Sequence, residues 1–200
     1  MLPEIFRFGL TQNAAAQIVN WLWWVLLIVW IVMRFSMKQA KQRENPWQYA
    51  QHGLMVILGF WLLFSQIQNA GWLNRHLLPR TPPVWAVGLV LTALGTAFAI
   101  WARFSLGSNW SGLVTLKAGH ELIRSGPYRL IRHPIYTGLL LGMIGTALIH
   151  EHVRGWLGVA VVFAAFYFKA RREESFLRQE FGPSFEDHAR HTGMFLPKFT

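Results

Sequence analysis

Residues 81–102 read TPPVWAVGLVLTALGTAFAIWA and contain no Asp, Glu, Lys or Arg in 22 positions. A helix needs roughly 20 apolar residues to cross the hydrocarbon core of a bilayer, so this run predicts a membrane-spanning helix. Four further uncharged windows, of 26, 30, 18 and 14 residues, are Phe8–Met33, Asn45–Asn74, His133–His150 and Gly155–Phe168. The fourth window is marginal in length and the fifth is short. Together they predict an all-α, polytopic membrane helix bundle of about five transmembrane helices.

The composition excludes several classes of protein. Of the 200 residues, 53% are hydrophobic and only 14% are charged, whereas soluble domains have roughly 25% charged residues. The chain has no Cys, which excludes a disulfide framework, a Cys-based zinc site and a catalytic thiol. The net charge of +10 does not indicate nucleic acid as a partner, because the positive residues lie between apolar windows, where they bias membrane topology.

The distribution of positive charge predicts the orientation in the membrane. If all five windows cross, fifteen of the nineteen Lys and Arg residues lie on one side and four on the other. Positive charge favours the cytoplasmic side. We therefore expect the N-terminus outside, the C-terminus in the cytoplasm, and the two longest polar segments, Arg103–Arg132 and Lys169–Thr200, together on the cytoplasmic face.

Polar residues concentrate after residue 102, so we expect two parts, 1–102 with the first three membrane helices and 103–200 with the last two and the active site. In the second part, Gly126-Pro127 predicts a turn. Pro134 is expected at the first position of a helix, because its fixed φ suits that position. The N-terminus of this helix, with Arg129 and Arg132 nearby, is a candidate site for a carboxylate or a phosphate.

Two further patterns concern the last two helices. Gly138, Gly142 and Gly145 share one helical face, which favours close packing against a neighbouring membrane helix over a glycine-lined ligand slot. After the fifth window the charged stretch Lys169–Leu177 predicts a helical extension, and we expect the helix to end near Gly182.

No metal site is predicted. His150, Glu151 and His152 are consecutive and are interpreted as a polar turn at the outer interface. His188 and His191, three residues apart on an expected surface helix, have no third ligand nearby in the sequence.

Several motifs of the second part occur in a defined order. They are Leu-Gly-Ser-Asn-Trp-Ser from Leu106, Gly-His-Glu-Leu from Gly119, Gly-Pro-Tyr-Arg-Leu-Ile-Arg-His-Pro-Ile-Tyr-Thr-Gly from Gly126, Glu173-Glu174, Phe181-Gly182 and Phe-Leu-Pro-Lys ending at Lys198. In this order and spacing the chain resembles, from Leu106 to Lys198, the isoprenylcysteine carboxyl methyltransferase family of integral-membrane methyltransferases. The Arg-His-Pro-x-Tyr motif with the Glu-Glu pair is specific for a wider superfamily that also holds phospholipid N-methyltransferases.

The resemblance implies S-adenosylmethionine as the cofactor, bound on the cytoplasmic side. The cofactor-binding residues expected from these motifs are His120, Tyr128, Arg129, His133, Pro134, Tyr136, Glu173 and Glu174. The expected catalytic residues are Arg132, Lys169 and Glu174, and the position of Arg132 is the one implicated in handling a substrate carboxylate. Lys169 stands where the family usually has arginine, and lysine keeps the charge without the bidentate geometry. Arg171 or Arg172 is an alternative carrier of this role.

The chemistry of the acceptor separates the candidate functions. A carboxylic acid of pKa about 3.5 is ionised at neutral pH, so its methylation needs orientation and exclusion of water but no general base. A protonated amine needs an acceptor for its proton, such as Glu174 or His133. We expect an S-adenosylmethionine-dependent carboxyl O-methyltransferase acting on a lipidated, prenylcysteine-like or other membrane-soluble carboxylate.

Two alternatives stay open. The first is a phospholipid amine N-methyltransferase, and the second, from another class, is a non-enzymatic membrane scaffold or a transporter. Ion transport is disfavoured because the five windows hold no ionisable Asp, Glu, Lys or Arg. The expected partners are the lipid bilayer and an amphipathic, lipid-like or prenylated substrate, and the expected location is a bacterial or archaeal cell membrane, which the protein crosses several times.

Overall fold

The computed structural model describes residues 10–34, 40–43, 45–67, 70–107, 115–117 and 122–198. These residues form a helical bundle, whose α-helices are α1 Gln12–Arg34, α2 Pro46–Phe64, α3 Pro82–Leu106, α4 Pro134–His150, α5 Val153–Phe181 and α6 Pro183–His191. A short antiparallel ladder, which the sequence did not predict, pairs β1 (Ala40–Arg43) with β2 (Thr115–Lys117). The predicted all-α class therefore holds for the helical bundle but not for the two loops that carry β1 and β2.

The helices begin and end at local sequence signals. Proline occupies the first turn of α2, α3, α4 and α6, where its missing N–H leaves no hydrogen bond unmade. The Asn45 side chain accepts a hydrogen bond from the Trp47 backbone N–H at 2.9 Å and so caps α2. Gly182 ends α5 with a φ of 47°, which glycine adopts without steric cost. The predicted start at Pro134 and the predicted end near Gly182 are confirmed.

Three helices are long and apolar enough to cross a membrane: Gln12–Met33, Pro82–Leu106 and Val153–Phe181. Helix α4 is apolar but has only 17 residues. Helix α2 has 19 residues, which gives it a length of about 28 Å. Each of the five predicted windows overlaps one of the helices α1 to α5, whereas five crossings and the orientation of the termini stay predictions.

Contacts between helix ends show that α1 to α5 alternate in direction, and the Arg154 Nε bond of 3.0 Å to the Ser65 carbonyl joins the start of α5 to the end of α2. At one end the Gln12 side chain donates to the Ile149 carbonyl at 2.8 Å, which joins the start of α1 to the end of α4. At the other end the Arg103 guanidinium donates to the Met33 carbonyl at 2.8 Å, which joins the ends of α3 and α1. We call the second end, with the start of α4 at Pro134, the Pro134 end, and the first the Glu151 end.

The predicted glycine face of α4 packs against α3 at backbone distance. A Cβ at Gly95 would lie 2.3 Å from the Gly142 backbone N, and a Cβ at Gly145 would lie 2.4 Å from the Gly88 carbonyl oxygen. Both approaches are closer than real Cβ contacts, so a side chain at either position would push the helices apart. The packing interpretation of the glycines is confirmed.

Helices α2, α4 and α5 enclose the main apolar cluster, which extends from the Pro134 end into the interior of the bundle. Its fully buried members include Leu63, Met143, Ala147 and Val162, and Phe166 extends it toward the start of α4. This cluster fixes the position of α5 relative to α4. The charged extension of α5 is thereby placed beside the residues that precede α4. The division of the chain at residue 102 stays a prediction.

Candidate active site

The charged cluster of the Pro134 end forms where α4 begins and α5 leaves the apolar bundle. His133 is the residue before the first turn of α4, and its ring lies between two consecutive glutamates of α5. The Nδ1 atom is 3.3 Å from a Glu173 oxygen and the Nε2 atom is 3.3 Å from a Glu174 oxygen. Each ring nitrogen therefore faces its own carboxylate.

This position favours the charged form of His133. Burial alone would lower the pKa of the imidazole, but the hydrogen bonds to Glu173 and Glu174 outweigh that effect and raise the pKa. Both ring nitrogens donate only when the ring carries two protons. The ring of His133 is therefore held between two carboxylates, and its raised pKa favours the form with two protons.

Glu174 is the buried carboxylate of the pair. The residue is 2% exposed, and the Arg132 Nε donates to it at 2.7 Å. The Arg178 guanidinium approaches its second oxygen at 3.5 Å from the next turn of α5. With His133, three cations surround one carboxylate, so Glu174 acts chiefly as the centre of an ion-pair network that joins α4 to α5.

Glu173 is the accessible carboxylate of the pair. Its side chain is 22% exposed, and one oxygen accepts a hydrogen bond of 2.7 Å from the Tyr136 hydroxyl. The Tyr136 ring lies between the His133 ring, at 5.5 Å, and the Phe166 ring, at 4.6 Å, and is nearly parallel to both. The stack holds the hydroxyl toward Glu173, which retains room for a further donor.

The segment after α6 covers this cluster. The backbone N–H groups of Arg132 and His133 donate to the carbonyls of Gly193 and Met194 at 2.9 and 3.1 Å. The Thr137 hydroxyl donates to the Phe195 carbonyl at 2.7 Å. We call residues 192–196 the C-terminal strap. It occupies part of the N-terminal face of α4 that was predicted to bind an anion.

Arg132 ties the strap to the cluster with its side chain as well as its backbone. Besides the bond to Glu174, its Nη1 donates to the Ala189 carbonyl at 3.3 Å and to the Thr192 carbonyl. The Arg132 side chain is only 13% exposed. These bonds make Arg132 a structural link between the start of α4, α5 and the strap, and they use three of its five N–H donors.

The structure brings together most of the site residues that the sequence predicted: Arg132, His133, Pro134, Tyr136, Glu173 and Glu174. Lys169 is 5% exposed and lies one turn before Glu173 on α5. Tyr128 is also buried, and it packs with Ala102 and Ile135 beside the start of α4. Burial raises the pKa of Tyr128, so its hydroxyl stays protonated.

Arg129 is a predicted site residue that the structure does not bring into the cluster. Arg129 is exposed, and its side chain has no hydrogen bond or ion pair with any residue that the structure describes. His120 lies outside the described residues. The sequence analysis did not assign a site role to Phe195, Thr192 or Gly193. Phe195 lies in the Phe-Leu-Pro-Lys motif, which could have indicated it. Thr192 and Gly193 lie in no motif, because strand-like pairing over such a short segment leaves no periodicity in the sequence.

The predicted turn of His150, Glu151 and His152 forms the Glu151 end and is more ordered than a simple polar turn. Glu151 adopts a left-handed conformation with a φ of 63° and is fully buried. Arg80 and the Trp85 indole N–H contact its two oxygens at 3.2 and 2.5 Å. No group of three metal-binding side chains occurs among the residues that the structure describes. His188, expected on a surface, is 8% exposed.

The three membrane-length helices place this chain in the class of integral membrane proteins. The particular family follows from comparison with known sequences. The phospholipid methyltransferase family model matches residues 84–184, a range that contains the start of α4 and both glutamates. The chain belongs to this family of membrane methyltransferases.

Individual relatives include proteins named for metal resistance and isoprenylcysteine O-methyltransferases, and the latter confirm the resemblance to that family. The cobalt-zinc-cadmium resistance protein CzcN of Cupriavidus metallidurans is 32% identical over 72% of this chain and 64% of its own length. The protein-S-isoprenylcysteine O-methyltransferase of Dictyostelium discoideum is 28% identical over 68% of this chain and 59% of its own length. The chain thus spans about 60 to 64% of these relatives.

A solved structure of the eukaryotic intramembrane Ras methyltransferase, an isoprenylcysteine carboxyl methyltransferase, is also similar. It aligns with a TM-score of 0.47 and 25% identity, over 77% of this chain and 53% of that chain.

Proposed function

We propose that this protein is an S-adenosylmethionine-dependent carboxyl O-methyltransferase that acts on a membrane-soluble carboxylate, such as a lipidated or prenylcysteine-like acid. The observation that supports this most directly is the state of the charged cluster. The imidazole of His133 lies 3.3 Å from each of two carboxylates, which favour its charged form, so it is poorly placed to act as a free base. An acceptor that is already ionised suits such a site.

The residues present fit S-adenosylmethionine, which supplies a methyl group on a positively charged sulfur. Glu173 is the accessible acceptor for the ribose hydroxyls or the ammonium group, as acidic residues are in other nucleotide sites. The Tyr136 hydroxyl orients that carboxylate. The ring of Phe195, which lies 6.5 Å from that of Tyr136, offers an apolar surface for the adenine. Glu174 and Arg132 hold His133 and the start of α4 in position through their ion pair.

The roles within the cluster therefore differ from those expected of the sequence. Glu173 is proposed as a binding residue that touches the cofactor, whereas Glu174 and Arg132 are positioning residues. Lys169 contributes positive charge on the buried face of α5, near the path of an anionic acceptor. Tyr128 supports the start of α4, and roles in binding for His120 and Arg129 stay proposals without a contact to support them.

A phospholipid amine N-methyltransferase is the second candidate, and the match to the phospholipid methyltransferase family favours it. That reaction requires removal of a proton from the amine, and Glu173 is the one accessible acceptor of the charged cluster. Membranes that contain the protein can be incubated with methyl-labelled S-adenosylmethionine, and the lipids then treated with mild base. Label released as methanol identifies a methyl ester and supports the first candidate. Label retained on an N-methyl lipid supports the second and overturns the first.

The remaining proposals concern location. We place the Pro134 end, with the C-terminal strap, on the cytoplasmic side, because the positive segments lie there, and the N-terminus outside. The membrane is proposed to be the cell membrane of a bacterium or an archaeon. The bilayer is then the source of the acceptor, and the cofactor comes from the aqueous phase.

A further inference from the structure

A cavity of about 730 Å³ lies between α2 and α5. Its position follows from the packing of these helices, whose backbones touch at Gly59 and Gly158. A Cβ at Gly158 would lie only 2.4 Å from the Gly59 carbonyl oxygen. Toward the start of α2, larger side chains such as Gln51, His52 and Phe168 face the space between the helices. The cavity is therefore at the Pro134 end, the same end as the charged cluster.

The lining of the cavity is amphipathic along its length. Leu54, Met55 and Phe168 line the cavity on its apolar part, where Leu54 and Phe168 are exposed. Arg171 and Arg172 follow Phe168 on α5, toward the end of the bundle. From Gln48 to Met55, the lining segment of α2 rises about 10 Å, enough for several methylene groups of an extended chain. An apolar interior that ends in two guanidinium groups is complementary to an amphiphile with an anionic head.

One aromatic wall separates this cavity from the charged cluster. His52 lines the cavity, and its ring lies 5.9 Å from that of Phe166. The other neighbour of Phe166 is Tyr136, at 4.6 Å, which donates to Glu173. Because Arg172 directly precedes Glu173 in the chain, their Cα atoms are about 3.8 Å apart. The cavity and the proposed cofactor site are therefore neighbours along α5, with the Phe166 ring between them.

Arg171 is more accessible to an anion than Arg132, because Arg171 is exposed and the Arg132 side chain is only 13% exposed. The Arg132 guanidinium is committed to Glu174 and to backbone carbonyls of α6 and the strap. Arg171 is exposed, and within the described ranges its side chain makes no hydrogen bond or ion pair. Arg172 is half-buried and lines the cavity beside it.

We propose that the cavity between α2 and α5 binds the methyl acceptor, an amphiphile whose carboxylate contacts Arg171 and Arg172 and whose apolar tail lies along Leu54, Met55 and Phe168. This inference rests on the proposed function and moves carboxylate recognition from Arg132 to the two arginines of α5. In the transfer, one carboxylate oxygen forms the new bond to the methyl carbon as the bond from that carbon to sulfur breaks. The electron pair stays on sulfur, and no proton is released.

The first test measures binding without turnover. The full chain in lipid nanodiscs is titrated with tritiated palmitate and with palmitamide, which has the same tail and no charge. We expect the unmodified protein to bind palmitate more tightly than palmitamide. The double variant R171Q/R172Q should raise the dissociation constant of palmitate about tenfold or more, since each hydrogen bond to a charged group contributes that much. The dissociation constant of palmitamide should not change. The double variant R171K/R172K should keep part of the affinity, because it retains the charge.

The matched control is Arg75→Gln, which removes an exposed arginine at the Glu151 end and should leave palmitate binding unchanged. Equal binding of palmitate and palmitamide to the unmodified protein would overturn the proposal. So would full displacement of palmitate by an equal concentration of phosphatidylglycerol, since the arginines would then recognise a lipid phosphate.

The second test separates this inference from the proposed function. In the methyl ester assay, R171Q/R172Q should raise the KM for the acid about tenfold or more and leave the dissociation constant of S-adenosylmethionine unchanged. Leu54→Trp, which narrows the cavity, should raise the KM for palmitate more than that for octanoate. An unchanged KM in the double variant refutes the cavity as the acceptor site although esters form. Binding of palmitate through the arginines without methyl ester from any acid refutes the proposed function alone.

Discussion

Replacing Arg132 by Ala removes the side chain that joins α4, α5 and the C-terminal strap. Its Nε bond to Glu174 is 2.7 Å long, the Glu174 side chain is 3% exposed and that of Arg132 is 13% exposed. Removing one partner of a buried ion pair leaves an uncompensated charge and costs about 3–5 kcal/mol. Because Arg178 and His133 still face Glu174, we expect the free energy of unfolding to fall by about 3 kcal/mol, the lower end of that range.

The assay is reversible unfolding in mixed detergent micelles, followed by tryptophan fluorescence. A double-mutant cycle with Glu174→Gln isolates the pair, because the second substitution removes the charge that the first one orphans. The double variant should therefore lose clearly less than the sum of the single losses. Arg75→Ala, an exposed arginine at the Glu151 end, serves as the control and should change stability by less than about 0.5 kcal/mol.

The result also bears on function. If Arg132 positions the cluster, Arg132→Ala weakens both S-adenosylmethionine binding and methyl transfer. A variant that is as stable as the parent and still binds the cofactor, but transfers no methyl group, would refute this reasoning. Arg132 would then bind the substrate directly.

Three further predictions concern the cluster, the bundle and the strap. The charged form of His133 stabilises the fold, because the pKa of its ring is raised above the usual value of about 6.5. This stabilisation is complete below about pH 6.5 and is lost as the pH rises through the raised pKa. His133→Gln should flatten this part of a plot of unfolding free energy against pH, and an unaltered plot would contradict the ion-pair assignment. Gly95→Ala should destabilise the bundle by at least about 2 kcal/mol, because the new Cβ would meet the Gly142 backbone at 2.3 Å. The control Gly53→Ala, whose Cβ would have nothing within 4 Å, should stabilise α2 by about 0.5–1 kcal/mol. Equal effects of the two substitutions on thermal unfolding would argue against backbone contact at Gly95. Gly193→Ala places a Cβ 1.8 Å from the Leu196 carbonyl oxygen and should speed amide hydrogen exchange at Arg132 and His133, whose N–H groups the strap holds; unchanged exchange would show that the strap tolerates the side chain.

The elements of this fold were predictable because their signals are local. Uncharged windows gave the approximate positions of the five long helices, and proline and glycine gave boundaries at Pro134 and Gly182. The small residues of α4 indicated its contact with α3, since only glycine permits backbones to approach so closely. The pairing of Ala40–Arg43 with Thr115–Lys117 was not predictable, because short strands far apart in the chain carry no periodic pattern.

The residue types of the site could also be predicted from the sequence, but the separate role of each residue could not. Successive residues of a helix point about 100° apart, so Glu173 and Glu174 look equivalent in the sequence and face different surroundings in the bundle. Which of them stays open depends on the angle between α4 and α5, and that angle follows from the packing around Phe166. Arg132 likewise carries the same charge wherever it lies. Only the fold of the strap over the start of α4 turns that charge inward, toward Glu174.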